Sequence, residues 1–147
     1  KGDFLTRTVH QSYSGIVAND AKEAVYYGSY AGSDGQPLNG SKRYRLELPA
    51  GTEPDVKAFW SITMYGMDAN LVANEINRYS VGDRTEGLVR DAKGGLSIAI
   101  QHERPSDAEV NWLPAPKDGF WMVLRAYQPG ENLLTGEWQL PQVTVAD

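Results

Sequence analysis

The chain contains no cysteine. This absence excludes a disulfide framework, a thiolate nucleophile and a zinc–thiolate site. Long apolar runs are also missing, since no stretch approaches the roughly 18–20 residues of a membrane-spanning helix. Positive charge is scarce: 14 Lys and Arg stand against 19 Asp and Glu, giving a net charge of −5. A nucleic-acid partner is disfavoured by this balance, because phosphate binding depends on a basic patch.

Histidine is scarce too, which limits the chemistry available. His10 and His102 are the two histidines of the chain, so it cannot build a three-histidine metal site by itself. The sequence shows no nucleotide-binding glycine motif, no G-x-S-x-G, no H-E-x-x-H and no EF-hand loop. The sequence leaves open a site made of one histidine and carboxylates. We expect no metal and no cofactor, and the sequence also leaves open whether the chain is an enzyme.

The residues that are present fit one folded domain over residues 1–147. An apolar content of 41% is ordinary for a globular protein with one core. The chain begins at Lys1 without an initiator Met. We interpret this start as a processed form or a piece of a longer protein, with any signal peptide, anchor or further domain upstream.

Alternation of apolar and polar residues dominates the chain after residue 24 or so. A period of two is typical of half-buried strands. The stretches concerned are Tyr26–Tyr30, Tyr44–Leu48, Lys57–Tyr65, Leu71–Ala73, Tyr79–Val81, Leu96–His102, Phe120–Tyr127 and Val143–Val145. Asp34-Gly35 predicts a hairpin turn between the first two. About seven or eight short strands predict a mainly β, antiparallel β-sandwich of the jelly-roll-like kind.

One helix is predicted ahead of the strands, over residues 4–17. Asp3 occupies an N-cap position, and Leu5, Val9 and Tyr13 recur at helical spacing. No later segment is long and helix-patterned, which argues against a parallel βαβ architecture.

Arg78 is the first candidate for ligand binding. It lies in Asn77-Arg78-Tyr79, between two short predicted strands, where a planar guanidinium could bind an anionic or polyhydroxyl ligand. In the alternative interpretation, Tyr79 packs in the core and Arg78 pairs with a carboxylate such as Asp83.

His102 is the second candidate, at the end of the apolar face of the strand at 96–102. A half-buried imidazole there could act as a general base, with Glu103 or Asp107 nearby. The alternative is a core-edge histidine that is hydrogen-bonded to backbone.

Asn111 and Trp112 open the segment Asn111–Pro116, whose two prolines predict a rigid extended loop rather than a strand interior. Trp112 could offer a stacking surface for a sugar or an aromatic ring. It could equally close the end of the core.

Arg125 interrupts an apolar strand and shares a predicted face with Trp121, Val123 and Tyr127. Such an arginine is either buried and paired, which is the commoner outcome, or stacked on an exposed aromatic face. Tyr65 is predicted on the outer face of its own strand, and outward Tyr and Trp side chains are those available to a ligand.

Several segments together resemble a bacterial family known as domain of unknown function number twelve-fourteen. They are Ala58–Tyr65, Asn77–Ser80, Gly94–Leu96, Asn111–Pro116 and Leu124–Tyr127. The resemblance implies a jelly-roll-like sandwich in exported bacterial proteins, commonly placed after a companion domain, number twelve-fifty-four. It therefore implies a periplasmic or extracellular location, and it supplies no settled catalytic residues.

Our leading hypothesis is a binding or accessory module for a small polar or carbohydrate-like ligand. It expects Arg78, His102, Trp112 and Arg125 to converge near one end of the domain, with Asn111 and Tyr65 as further ligand contacts. The second hypothesis is a hydrolase or lyase that uses His102 as acid or base. The third is a structural subunit or homo-oligomer that pairs through strand edges.

Overall fold

The computed structural model describes residues 19–106 and 110–146. The helix predicted over residues 4–17 lies outside these ranges. The described part is mainly β, with one short helix. Its elements are β1 (Ala24–Ser29), β2 (Arg43–Leu48), β3 (Val56–Gly66), β4 (Ser80–Gly82), β5 (Leu96–Gln101), β6 (Asn111–Pro114), β7 (Phe120–Pro129), α1 (Glu131–Leu134) and β8 (Thr144–Ala146).

The strands form two sheets of four. Sheet 1 has the order β1-β7-β3-β4 and sheet 2 the order β6-β5-β2-β8. Neighbouring strands are antiparallel except β5 and β6, which run parallel. The described residues between β5 and β6, 102–106 and 110, contain no helix.

The core lies between the two sheets. Alternate side chains of each long strand point inward, so one face is apolar while the other meets solvent. In β2, for example, Tyr44, Leu46 and Leu48 are buried and Arg43, Arg45 and Glu47 are exposed. The other large contributors are Trp60, Ile62, Met64, Leu96, Ile98, Ile100, Phe120, Met122 and Leu124.

The predicted hairpin between the first two strands is wrong. Asp34-Gly35 does form a turn, in which Gly35 N donates to Gly32 O at 3.0 Å. However, β1 belongs to sheet 1 and β2 to sheet 2. The turn therefore bends a connection between the sheets.

Two smaller assignments also need correction. Leu71–Ala73 is not a strand, whereas Asn111–Pro114, predicted as a loop, is the edge strand β6. Pro114 is the last residue of that strand and lies at the free edge of sheet 2, where a missing N–H donor costs no ladder bond. The expected edge at Val143–Val145 is confirmed as β8, one residue later.

No helix among the described residues is long and apolar enough to span a membrane.

Replacing Leu46 tests this assignment of the core. Leu46 is 0% exposed on the central strand β2, so Leu46→Ala should lower the free energy of unfolding by about 3 kcal/mol. Val145→Ala, at a side chain 43% exposed on the edge strand β8, is the matched control and should cost below about 1 kcal/mol. Urea denaturation measures both. Equal losses would show that β2 does not have the inward face described.

Candidate functional site

Arg78 and Trp112 meet where the edge strands β4 and β6 approach each other. Arg78 Nη1 donates a hydrogen bond to the backbone oxygen of Trp112 at 3.1 Å. Asn74 holds the Arg78 backbone from both sides, accepting from its N–H at 3.0 Å and donating to its oxygen at 2.9 Å. The alternative pairing of Arg78 with Asp83 is not formed, and Asp83 Oδ1 accepts instead from Trp60 N at 3.0 Å.

Trp112 itself is buried, with 5% of its surface exposed. Its Nε1 donates to Gln101 O at 2.9 Å, and the Arg104 guanidinium lies 5.5 Å from its ring centroid. The ring is therefore already covered by protein groups, which favours the structural interpretation of Trp112 over a stacking surface.

Asn111 joins two parts of the chain through its side-chain amide. Its Oδ1 accepts from Val89 N at 2.8 Å, and its Nδ2 donates to Val89 O at 2.7 Å and Ser97 O at 2.9 Å. The residue is 6% exposed. The amide is thus occupied within the protein and fixes the loop at Val89 to β5.

A cleft of about 400 Å³ borders this edge. Arg78, Glu86, Val89 and Arg104 are among the residues that line it. Arg104 is tied to Glu75 by an exposed ion pair of 2.9 Å. A ligand contact for Arg78 would be made here, and that role stays a prediction.

His102 is exposed, so the prediction that it ends a buried face is wrong. Its Nδ1 lies 3.0 Å from Ala115 O. Because a carbonyl only accepts, Nδ1 carries the hydrogen and Nε2 is the basic nitrogen of the neutral ring. Glu103 shares the adjoining pocket, and Asp107 lies outside the described residues. No group of three potential metal ligands occurs in the described ranges.

A second region lies on the outer face of sheet 1. We call it the aromatic face and define it by the outward side chains Tyr26, Tyr30, Phe59, Tyr65, Trp121, Arg125 and Tyr127. The alternation of β1, β3 and β7 that buries the core residues points the side chains on these strands outward, and Tyr30 comes directly after the end of β1.

The aromatic side chains form two rows across the strands. In one row, Trp121 stacks on its cross-strand partner Tyr65 at 4.8 Å and on Tyr30 at 5.7 Å, with interplanar angles of 22° and 16°. In the other, Tyr127 stacks on its partner Phe59 at 4.5 Å. Trp121 and Tyr127 are six positions apart on β7, which places the rows about 20 Å from each other. Each stacked pair stabilises the sheet by about 0.5–1.5 kcal/mol.

Tyr30 reaches its row because Gly28 has no side chain. A β-carbon at Gly28 would lie 2.5 Å from Cε2 of Tyr30 and 2.9 Å from its hydroxyl. The ring therefore folds back over Gly28. It remains 63% exposed, and Tyr26, two residues before Gly28, is 48% exposed.

Arg125 lies between the two rows and not in the cleft, so it does not converge with Arg78. Its Nη2 donates to the Tyr65 hydroxyl at 2.6 Å, and its guanidinium carbon is 5.5 Å from the Tyr65 ring centroid. Its cross-strand neighbours are Tyr26 and Ser61. Of the two interpretations offered by the sequence, the stacked arginine is the one found.

Burial raises the pKa of the Tyr26 phenol above its ordinary value of 10.0, and proximity to Tyr127 raises it further. The amide of Asn19, which donates to the hydroxyl at 2.7 Å, and the Arg125 charge act in the opposite direction. Tyr26 is therefore a neutral hydroxyl at physiological pH.

The fold and this face define a mainly β, two-sheet domain with an exposed aromatic surface. The chain belongs to the family described as "Protein of unknown function (DUF1214)", whose model matches residues 23–131. The resemblance seen in the sequence segments is thereby confirmed, while the companion domain stays a prediction.

Similar solved structures include the following two. The VPA0106 protein of Vibrio parahaemolyticus matches with a TM-score of 0.81 and 33% identity, over 95% of this chain and 35% of that chain. An uncharacterised protein from Burkholderia cenocepacia matches at 18% identity with a TM-score of 0.61, over 96% and 33% of the two chains, and this likeness shows the fold alone. This chain thus spans about a third of either one. None of the curated proteins matches.

Sequence reasoning singled out Tyr65 and Arg125 but not Tyr26, Tyr30 or Gly28. The available signal was the alternation in β1, which places Tyr26 and Gly28 on one face. Tyr30 lies beyond the end of β1, and no pattern in the sequence indicates that its ring folds back over Gly28.

Asn111 provides a test of structural against ligand-binding roles at the β4–β6 edge. Asn111→Ala should lower the free energy of unfolding by about 3 kcal/mol, because it removes the three hydrogen bonds that the buried Asn111 amide makes to the backbone of Val89 and Ser97. Asn70→Ala, at an exposed amide that bonds Asp68 Oδ2, should change it by less than about 0.5 kcal/mol. Denaturant titration gives both values. An Asn111→Ala variant as stable as the parent would contradict the structural role.

Tyr26 provides a test by pH. A phenol whose pKa is raised on folding leaves stability intact below its unfolded value of 10.0, and stability falls as pH rises through the folded value. The free energy of unfolding should therefore fall above pH 10, and less steeply in Tyr26→Phe. Urea titrations at alkaline pH, with phenolate absorbance followed in parallel, measure the slope. An unchanged slope in Tyr26→Phe would mean that Tyr26 titrates as it does in the unfolded chain.

Proposed function

We propose that this domain is a binding module for a carbohydrate-like, polyhydroxyl ligand, and that the ligand lies across the aromatic face. The observation that carries the proposal is the exposed pair Tyr26 and Tyr30 beside stacked aromatic rows on a rigid sheet. Under this proposal, Tyr65 and Arg125 keep the ligand role expected of them.

The chemistry of a sugar chain fits this surface. Pyranose rings have apolar C–H faces that pack on aromatic side chains, and hydroxyl edges that need hydrogen-bond partners. Aromatic rows about 20 Å apart provide the first kind of contact at two separate places. Between the rows, the outward side chains of Ser61 and Thr63 and the Tyr26 hydroxyl provide the second.

Because the rings are held by one another and by the sheet, little side-chain entropy is lost on binding. Trp121 is further fixed by the hydrogen bond from its Nε1 to Gly66 O at 2.9 Å. A saccharide-binding site needs a surface that is ordered before the ligand binds, because each contact with the sugar contributes little binding free energy.

Several expectations accompany this proposal. Export to the periplasm or the cell exterior, where polysaccharides occur, would give the ligand access to the site. The jelly-roll-like topology is likewise a proposal that goes beyond the two sheets described. The cleft beside Arg78 would serve as a secondary contact for a small polar ligand.

A competing function is favoured by the same exposed tyrosines. Exposed aromatic side chains on a sheet also suit an interface with another copy of the chain or with another domain. The acid–base role of His102 has less support. Its pocket contains one carboxylate, Glu103, and one hydroxyl, Ser41, among the described residues that line it. The other charged side chains there are basic: Lys42, Arg43 and Lys117.

Retention on immobilised polysaccharides tests the proposal. The parent chain should be retarded by at least one member of a panel of neutral and acidic glycans in affinity electrophoresis. Tyr30→Ala should weaken that binding roughly three- to tenfold, the loss of one stacking contact. Gly28→Ala should weaken it by displacing the Tyr30 ring without removing it.

Val145→Ala is the matched control, because it truncates an exposed side chain on the other sheet. Retention that is equal in all variants would contradict the proposal. A parent dimer that dissociates in Tyr30→Ala, with no glycan retained, would establish the competing interface.

A further inference from the structure

Arg125 uses few of its hydrogen-bond donors within the described part of the protein. A guanidinium carries five N–H donors in a planar fork. Within the described ranges, the side chain of Arg125 makes one hydrogen bond, to the Tyr65 hydroxyl, and is not part of an ion pair. The residue is half-buried among aromatic side chains on the outer face of sheet 1, so its remaining donors are open to a ligand that lies on this face.

The surroundings of Arg125 are also unusual in charge. The chain as a whole has 19 acidic residues and a net charge of −5. Yet the outward positions of residues 24–28 in β1, 59–65 in β3 and 121–127 in β7 contain no carboxylate. Arg84 adds a second positive charge, 4.6 Å from the Phe59 ring centroid. The aromatic face is therefore a locally cationic surface on an acidic protein.

We propose that the ligand of the aromatic face is an acidic saccharide, and that Arg125 binds its carboxylate. This inference rests on the proposed function and names the class of sugar. A carboxylate matches the guanidinium fork through two parallel charge-assisted hydrogen bonds. Ser61, the cross-strand neighbour of Arg125, and Tyr26 on its other side present hydroxyls to the same sugar unit.

The position of Arg125 explains a specific preference for an acidic saccharide and not a general attraction of polyanions to the protein. The net negative charge of the chain repels a polyanion at long range, so a long acidic polymer gains nothing from the protein as a whole. Recognition comes from one positioned guanidinium between aromatic rows, and a short acidic oligosaccharide is the appropriate probe.

The test compares an oligogalacturonate with its fully methyl-esterified form, which has the same sugar rings without the charge. Isothermal titration of the intact chain should give binding of the acid at least about tenfold tighter than binding of the ester. Arg125→Gln should remove this preference by lowering the affinity for the acid to that for the ester. Arg125→Lys should restore it only in part, because an ammonium lacks the fork.

Arg45→Gln is the matched control, since it removes one exposed positive charge from the outer face of sheet 2. It should keep the preference for the acid. A preference that survives Arg125→Gln, or that falls equally in Arg45→Gln, would overturn the assignment to Arg125.

The outcomes separate this inference from the function on which it rests. Equal binding of acid and ester by the parent chain, with loss of both in Tyr30→Ala, would overturn the acidic saccharide and keep the binding module. No binding of any glycan by the parent chain would overturn both. Loss of ester binding in a folded Arg125→Gln variant would make Arg125 a support for the aromatic rows and would also overturn the inference.

Discussion

The antiparallel register between β3 and β7 is the constraint on which the rest of the structure depends. It pairs Tyr65 with Trp121, Ser61 with Arg125 and Phe59 with Tyr127. A slip of one residue would send these side chains into the core and bring Trp60, Ile62 and their partners to the surface. The same register therefore builds the core and the aromatic face, and the proposed function is a consequence of how the core packs.

Local pattern predicted much of this architecture. The alternation in 57–65 and 120–127 correctly gave two long strands with two faces each. It placed Tyr65 opposite the apolar face of the first strand and Arg125 among aromatic side chains on one face of the second. Strand order could not be predicted, because β1 pairs with β7 across about a hundred residues of chain, as in Ala24 opposite Tyr127. Alternation says which face is buried but not which strand lies beside it.

The candidate site, too, was predicted only in part from the sequence. Arg78 and Trp112 do meet, as expected, but through a backbone oxygen, and Trp112 is buried beneath Arg104. The sequence has no signal for the parallel pairing of β5 with β6, and none for the placement of Arg104 over the Trp112 ring. His102 was misplaced for a related reason, because β5 ends one residue before it and the inward alternation ends there.

The indole N–H signals of the four tryptophans offer the most direct test that the aromatic face is the binding site. In an NMR titration with an acidic oligosaccharide, with signals assigned by single Trp→Phe variants, the Trp121 signal should shift in proportion to bound ligand. Trp60, 2% exposed in the core, and Trp112 at the β4–β6 edge should not shift. A shift of Trp112 with Trp121 unchanged would place the ligand in the cleft beside Arg78 and contradict a binding site on the aromatic face.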